Sequence, residues 1–324
     1  MTELVTIDIG GTHARFALAA AEPGGAVALG DAVTFRIAEH ASFESAWTAF
    51  AARSGGVLPR ACALAVAGLV GGEAIRLTNS PWTIRPALLS GALGLERLTV
   101  VNDSAAVGHA AATAGADQFI RLCGPDRALP SAGTLSIVGP GTGLGVCHVW
   151  RDGAGGYRVQ PTEGGHVAFA PLDPVEQAIL ARLSLRHGRV SVERVASGPA
   201  IVDIHGALAG LEGRDVAALD DRTIWQRGLS GEDRLAAAAV ERFCLALGSV
   251  AGDLALAQGA SGVVIAGGLG LRVKDRLLAS GFAERFQAKG RFRGLMAEIP
   301  VRIITHPQPG LLGAAAAFAQ EHLA

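Results

Sequence analysis

Two glycine turns, each set between a pair of apolar, β-favouring runs, constrain this chain more than any other feature. Residues 4–9 and 15–20 flank Gly10-Gly11-Thr12, and residues 134–138 and 146–150 flank Gly139-Pro140-Gly141-Thr142-Gly143-Leu144-Gly145. Apolar runs joined by a tight glycine turn predict β-hairpins. Gly11-Thr12 and Gly141-Thr142 lie 130 residues apart (141 − 11), about a domain length, which predicts duplicated halves that face each other. The halves differ in one respect: Asp8 stands beside the first turn, and its counterpart beside the second is the apolar Val138.

Further strand-like runs, at 32–37, 61–67, 74–78 and 98–101, interleave with helix-like patterns at 43–52 and 105–114. The class is therefore mixed α/β. Its antiparallel opening argues against a doubly wound nucleotide-binding fold, which begins strand, glycine-rich turn, helix. Beyond residue 170 helix patterns dominate, at 174–186, 216–227 and 233–257, and Ser197 before Gly198-Pro199 reads as a helix N-cap. A strand at 262–266 runs into Gly267-Gly268-Leu269-Gly270, and 301–305 is the last strand before an alanine-rich helix at 311–322. At 324 residues the chain has room for two domains. We expect a small α/β domain at 1–110, completed by the C-terminal helix (311–324), and a large α/β domain at 111–310.

Charge is balanced, 28 Lys+Arg against 29 Asp+Glu with no basic block, so nothing marks a nucleic-acid partner. Glu3 stands where a signal peptide needs base, and Asp8 interrupts the apolar stretch that follows. Apolar runs such as 61–70 and 311–319 fall short of the roughly 18 residues that span a bilayer. The expectation is a cytoplasmic protein with no membrane partner. Cys62, Cys123, Cys147 and Cys244 are far apart, without C-x-x-C or zinc spacing, and read as reduced, buried thiols.

Consecutive backbone N–H groups in a glycine turn form a concave nest for phosphate oxygens. One such turn is as readily a plain tight turn. Two in matched contexts, each with a threonine, favour a pair of phosphate sites at Gly10, Gly11 and Thr12 and at Gly141, Thr142 and Gly143. Rival signatures are missing: the sequence has no G-x-x-x-x-G-K-[ST], no G-x-G-x-x-G and no H-R-D. Asn102-Asp103 follows the strand ending at Val101 and precedes a helix, which puts a carboxylate where α/β active sites sit. The other reading is that Asp103 caps that helix. Glu163-Gly164-Gly165-His166 and Glu193-Arg194 add an imidazole and two more acids. These are readable as surface polarity or, with Asn79, Asn102 and Asp103, as the donors and acceptors a polyhydroxylated sugar needs.

Taken together, Asp8-Ile9-Gly10-Gly11-Thr12-His13-Ala14-Arg15, Asn102-Asp103, the turn at 139–145, Glu163-Gly164-Gly165-His166, Glu193-Arg194-Val195-Ala196-Ser197-Gly198-Pro199 and Ala266-Gly267-Gly268-Leu269 occur in the order and spacing of bacterial glucokinases. The sequence resembles that family over nearly its whole length. The family belongs to the hexokinase and actin-like ATPase superfamily. The resemblance therefore implies a two-lobed, ribonuclease H-like α/β fold, each lobe opening with a β-hairpin phosphate loop, and a cleft between the lobes. It implies ATP and Mg²⁺ as cofactors, D-glucose as substrate and a homodimer. Asp8 would assist Mg²⁺, directly or through water, while Gly10, Gly11, Thr12, Gly141, Thr142 and Gly143 would hold ATP phosphates. Gly267 and Gly268 would lie against the adenosine. Asn102, Asp103, Glu163, His166 and Glu193 would bind glucose hydroxyls, with Asp103 as the catalytic base and Asn79 as a further candidate. Two departures stand out: His13 occupies a position where Asn is expected in many relatives, and the Cys-rich zinc motif of the related repressor-type sugar kinases is absent after His166.

The expected reaction is phosphorylation of D-glucose at O6 by ATP. A kinase for another hexose or an N-acetylated amino sugar is the alternative within the class. A non-catalytic sugar sensor is the alternative outside it, disfavoured because a sensor has no chemical need for Asp103 and both turns at once.

Overall fold

In the computed structural model, which describes every residue except 69, 78 and 79, the first glycine turn joins strand β1 (Thr2–Ile9) to the antiparallel β2 (His13–Ala21). Two short strands, β3 (Val27–Leu29) and β4 (Val33–Arg36), add to β2. Helix α1 (Phe43–Arg53) starts from a reciprocal Ser42/Ser45 capping box and leads to β5 (Ala61–Val66), which lies parallel to β1. A separate two-stranded ladder, β6 (Ile75–Arg76) with β7 (Thr83–Ile84), precedes α2 (Pro86–Leu93). Then β8 (Arg97–Asn102) joins the far side of β5, again parallel, and runs straight into α3 (Asp103–Thr113).

The sequence of β5, ACALAV, explains how this sheet is covered. Alternate residues point to opposite faces. Cys62, Leu64 and Val66 join an aromatic core with Phe16, Phe35, Phe43, Trp47, Phe50 and Trp82, while Ala61, Ala63 and Ala65 face a cluster built from Ala106, Ala314, Ala315 and Phe318. The small residues let the C-terminal helix (Pro309–His322) approach closely. At Gly313 a Cβ would overlap the carbonyl oxygen of Ala106 on α3, so only glycine fits the crossing. Thr6 Oγ1 donates to Leu311 O at 2.7 Å and Thr99 Oγ1 to Glu321 Oε2 at 2.7 Å, which ties this helix to β1 and β8.

The chain divides into two compact units: Met1–Gly115, Tyr157–Pro161 and His306–Ala324 form one, Ala116–Gly156 and Thr162–Thr305 the other. In the second unit, β9 (Phe119–Cys123) is followed by the hairpin β10 (Ala132–Pro140) and β11 (Leu144–Asp152). Strand β12 (Tyr157–Thr162) gives its first five residues to the first unit. Strands β13 (Ala260–Ile265) and β14 (Val301–Ile304) then add in parallel to β10, and β9 closes the edge antiparallel to β14. The order β11-β10-β13-β14 repeats β2-β1-β5-β8, so each half is a hairpin extended by two parallel strands on the side of its first strand.

Helices α4 (Pro174–His187), α5 (Glu193–Ala196), α6 (Ala200–Leu211), α7 (Asp221–Ser230) and α8 (Arg234–Gln258) build the core of the second unit. Among the described residues α8 alone is long and apolar enough to cross a membrane, but most of it is buried in this unit's own core. Two sequence readings need correction. The helix expected from residue 216 starts at Asp221, because the Asp220 carboxylate accepts the Thr223 N–H and sets the cap there. Ser197 is not the N-cap of the next helix: it closes α5, and α6 begins after Pro199 with no side-chain cap. Asp173 caps α4 and also pairs with Arg242 at 2.6 Å and with Arg285, which in turn reaches Glu176 at 3.3 Å. All four cysteines are buried; burial holds the Cys123 and Cys244 thiols up at about 12 and pushes Cys62 higher still.

Candidate active site

Parallel pairing of β1, β5 and β8 sets Ile9 opposite Val66 and Val66 opposite Asn102, so the three strands end flush. Asp8 and Asp103 therefore stand on one carboxyl edge of one sheet, on strands two spacings or about 10 Å apart. Ligands of α/β sheets gather at that edge. The helix cap there belongs to Asn102, which corrects the reading of Asp103 as the cap. Asn102 Oδ1 accepts from Ser104 N at 2.9 Å, from Ala105 N at 3.3 Å and from Ser104 Oγ at 2.5 Å, while Nδ2 donates to Gly68 O at 3.1 Å. Both ends of the Asn102 amide are thus committed to fixing the strand-to-helix junction. Asp103, the first residue of α3, is half-buried, and its Oδ1 accepts the Ser104 N–H at 2.8 Å.

Asp8 faces Arg15 across the hairpin, and Arg15 Nη1 lies 3.1 Å from Asp8 Oδ2. Burial pushes the Asp8 carboxyl up, and the charge and hydrogen bond of Arg15 pull it back. The first turn of the C-terminal helix packs onto this carboxylate at Gly310, where a Cβ would lie 2.8 Å from Asp8 Cγ. In the adjoining turn Gly10 N–H is already spent on His13 O at 3.0 Å, and the Thr12 hydroxyl lies 2.9 Å from His13 Nδ1.

In the second unit the turn between β10 and β11 is Gly141-Thr142-Gly143, with Gly141 N–H donated to Gly143 O at 2.8 Å. Glu193, at the start of α5, sends Oε2 to the N–H of Leu144 at 2.9 Å. The Glu163–His166 segment packs on the same residue: a Cβ at Gly165 would overlap Leu144 O and lie 3.2 Å from its carbonyl carbon. His166 Nε2 is 3.7 Å from Glu163 Oε2, both side chains largely exposed, and Arg189 holds the backbone by donating to His166 O at 2.8 Å. The pairing of 167–169 with 190–192, through Val192 N to Val167 O and Phe169 N to Val190 O, carries Glu193 to this place. Gly267 lies against the other flank, its missing Cβ 2.9 Å from Pro140 O, and Gly268 opens on free space.

The sequence model of the family Glucokinase matches residues 5–321. The glucokinase of Zymomonas mobilis is 54% identical over 320 residues, covering 99% of this chain and 98% of that one. The chain belongs to the glucokinase family. The crystal structure of a glucokinase from an Antarctic psychrotroph superposes with a TM-score of 0.86 at 33% identity, covering 99% of each chain. The structure of a ROK family glucokinase from Streptomyces griseus, solved in complex with glucose and AMPPNP, shares the fold at a TM-score of 0.64 and 20% identity, covering 97% of this chain and 98% of that one.

In this glucokinase-family chain the candidate residues fall into two groups. Asp8, Gly10, Gly11, Thr12, Asn102 and Asp103 share one edge of the first unit's sheet. Gly141, Thr142, Gly143, Glu163, His166, Glu193 and Gly267 gather around Leu144 and Pro140 in the second. Asn79 lies outside the described residues. Sequence reasoning missed Arg15 and Leu144. Arg15 could have been found by counting outward from the hairpin turn, since Asp8 and Arg15 are equidistant from it. Leu144 acts through its backbone and leaves no side-chain signal.

Proposed function

We propose that the chain transfers the γ-phosphoryl group of ATP to O6 of D-glucose, giving ADP and glucose 6-phosphate. Family membership supports the reaction, and the glucose and AMPPNP complex of the Streptomyces griseus relative supports the ligand pair. The observation that carries the residue assignment is the division of labour at the start of α3. Asn102 accepts from both Ser104 N and Ala105 N, whereas Asp103 shares only the first of these, so the cap does not depend on Asp103, whose carboxylate stands at the sheet edge that holds Asp8.

A sugar primary hydroxyl is a poor nucleophile. Asp103 accepts the O6 proton as the O6–Pγ bond forms and the bond from Pγ to the β,γ-bridging oxygen breaks, its electron pair leaving with ADP. With Gly10 and Gly141 N–H spent inside their turns, the amides offered to phosphate oxygens are those of Gly11, Thr12, Thr142 and Gly143. Glu163, His166 and Glu193 take sugar hydroxyls, and Gly267 and Gly268 flank the adenosine. Asp8, beside the first phosphate turn, would assist Mg²⁺ directly or through water. When bound, the ion offsets the negative charge on the transferring phosphates. The finer architecture we propose is that of the actin-like ATPases, each half supplying one hairpin phosphate turn.

The test is a coupled assay for sugar 6-phosphate with ATP and Mg²⁺, offering glucose, mannose, fructose and N-acetylglucosamine in parallel. Glucose should be the best acceptor, and Asp103→Asn should lower kcat by a factor of about 10²–10⁴ while glucose still binds. Near-normal turnover of that variant would sink the base assignment.

A further inference from the structure

We infer that Glu193 couples hexose binding to the phosphate turn at 141–143 through the N–H of Leu144. The inference rests on the reading of Glu193 as a sugar ligand and deepens it. The Glu193 carboxylate has two oxygens with separable duties. Oε2 accepts the Leu144 N–H at 2.9 Å, and Oε1 takes no hydrogen bond among the described residues. Leu144 is the first residue of β11, one position beyond the turn, and Pro140 faces it from β10. Moving the Glu193 carboxylate therefore moves the hydrogen bond that anchors the exit of the turn.

Two further contacts make this junction tight. A Cβ at Gly143 would collide with Glu193 Oε2 and lie 3.3 Å from its Cδ, so the turn needs glycine there because the carboxylate fills the space. Gly165, between Glu163 and His166, touches the carbonyl of the same Leu144. Both segments assigned to the sugar thus grip one peptide residue, Glu193 at its N–H and Gly165 at its C=O. The opposite side of the turn is held by Gly198 N–H on Gly141 O at 2.7 Å, and Gly198 O accepts from Trp225 Nε1 at 2.9 Å. With that flank fixed, a hexose that draws Oε1 into a hydrogen bond locks the other flank, and the amides of Thr142 and Gly143 are ordered before nucleotide arrives. Coupling of this kind is reciprocal: nucleotide must tighten hexose by the same factor.

Gly143→Ala tests this, because it crowds Glu193 from the phosphate side and leaves Glu163 and His166, the other second-unit residues assigned to the sugar, unchanged. Gly141→Ala is the matched control in the same turn, since a Cβ there meets nothing within 4 Å. Glucose binding is measured by calorimetry on nucleotide-free protein. Gly143→Ala should weaken glucose about tenfold, the loss of one hydrogen bond to a charged group, with Gly141→Ala within twofold of wild type. Saturating glucose should tighten AMPPNP several-fold in wild type, and that factor should fall towards one in Gly143→Ala. Equal glucose affinity in Gly143→Ala and wild type, or an unchanged coupling factor, overturns the inference. If Gly143→Ala does not fold, amide exchange in wild type decides: glucose alone must slow exchange at Leu144, and an unchanged rate overturns the proposal. Absence of any glucose binding to wild type would instead overturn the functional reading beneath it.

Discussion

Lowering the pH from 7 to 5 should destabilise the first unit through one buried imidazole, and replacing His109 by Asn should remove that sensitivity. His109 is buried on α3, with Nδ1 3.2 Å from the Tyr157 hydroxyl. Burial holds this imidazole down at about 4, against an ordinary value of 6.5. Because the folded value is the lower one, the unfolded chain binds a proton that the folded chain refuses throughout the interval between them. Stability therefore falls as the pH drops through 6.5, and the loss due to His109 is complete by about 4. At 1.36 kcal/mol per pH unit the whole loss is about 3 kcal/mol, and about 2 kcal/mol of it has arrived by pH 5. Asn keeps a polar atom for Tyr157, has nothing to titrate, and gives up ring packing for roughly 1–2 kcal/mol at pH 7. Urea unfolding followed by tryptophan fluorescence at pH 7, 6 and 5 measures the difference between the two proteins. His205 and His306, also pushed down by burial, are present in both and cancel. The handicap of His109→Asn should shrink or reverse by about 2 kcal/mol at pH 5, and parallel profiles would refute burial as the origin of the depressed value.

Gly313→Ala should lower the thermal midpoint by an amount equivalent to about 1–3 kcal/mol, because the new methyl group must push the C-terminal helix away from the Ala106 carbonyl; an unchanged melt would mean the helix crossing is looser than the contact implies. Burial pushes the Asp173 carboxyl up, but the Glu176 N–H and the Arg242 and Arg285 guanidiniums outweigh it and hold the group below its ordinary range. Its contribution is thus present above the unfolded value of about 4 and disappears as the pH falls through the folded one. Asp173→Asn should cost about 1–3 kcal/mol at pH 7, discounted for partial exposure, with wild type and variant converging once the pH falls below the folded value; a gap that persists there would assign the loss to the cap rather than to the charge.

What the sequence discloses and what it hides divide along a physical line. The two hairpins are legible because a glycine turn is local, and the Asp8–Arg15 pair follows from the hairpin register once the turn is known. The alternation in ACALAV likewise announces a strand with one bulky and one small face. Strand β9 is a different case: it pairs with β14 across most of the second unit, and no local pattern records that partner. At Asn102-Asp103 two good capping residues stand side by side, and composition cannot choose between them. The choice is made by β8, whose pairing with β5 keeps residue 102 extended and so makes it the last non-helical position. The same reasoning explains why the candidate sugar and phosphate residues read as separate motifs. Their meeting point is the backbone of Leu144, whose N–H and C=O are common to every residue type. A side chain can advertise charge or shape in a sequence, whereas a shared peptide group can be recognised only when the segments that compete for it have been folded against each other.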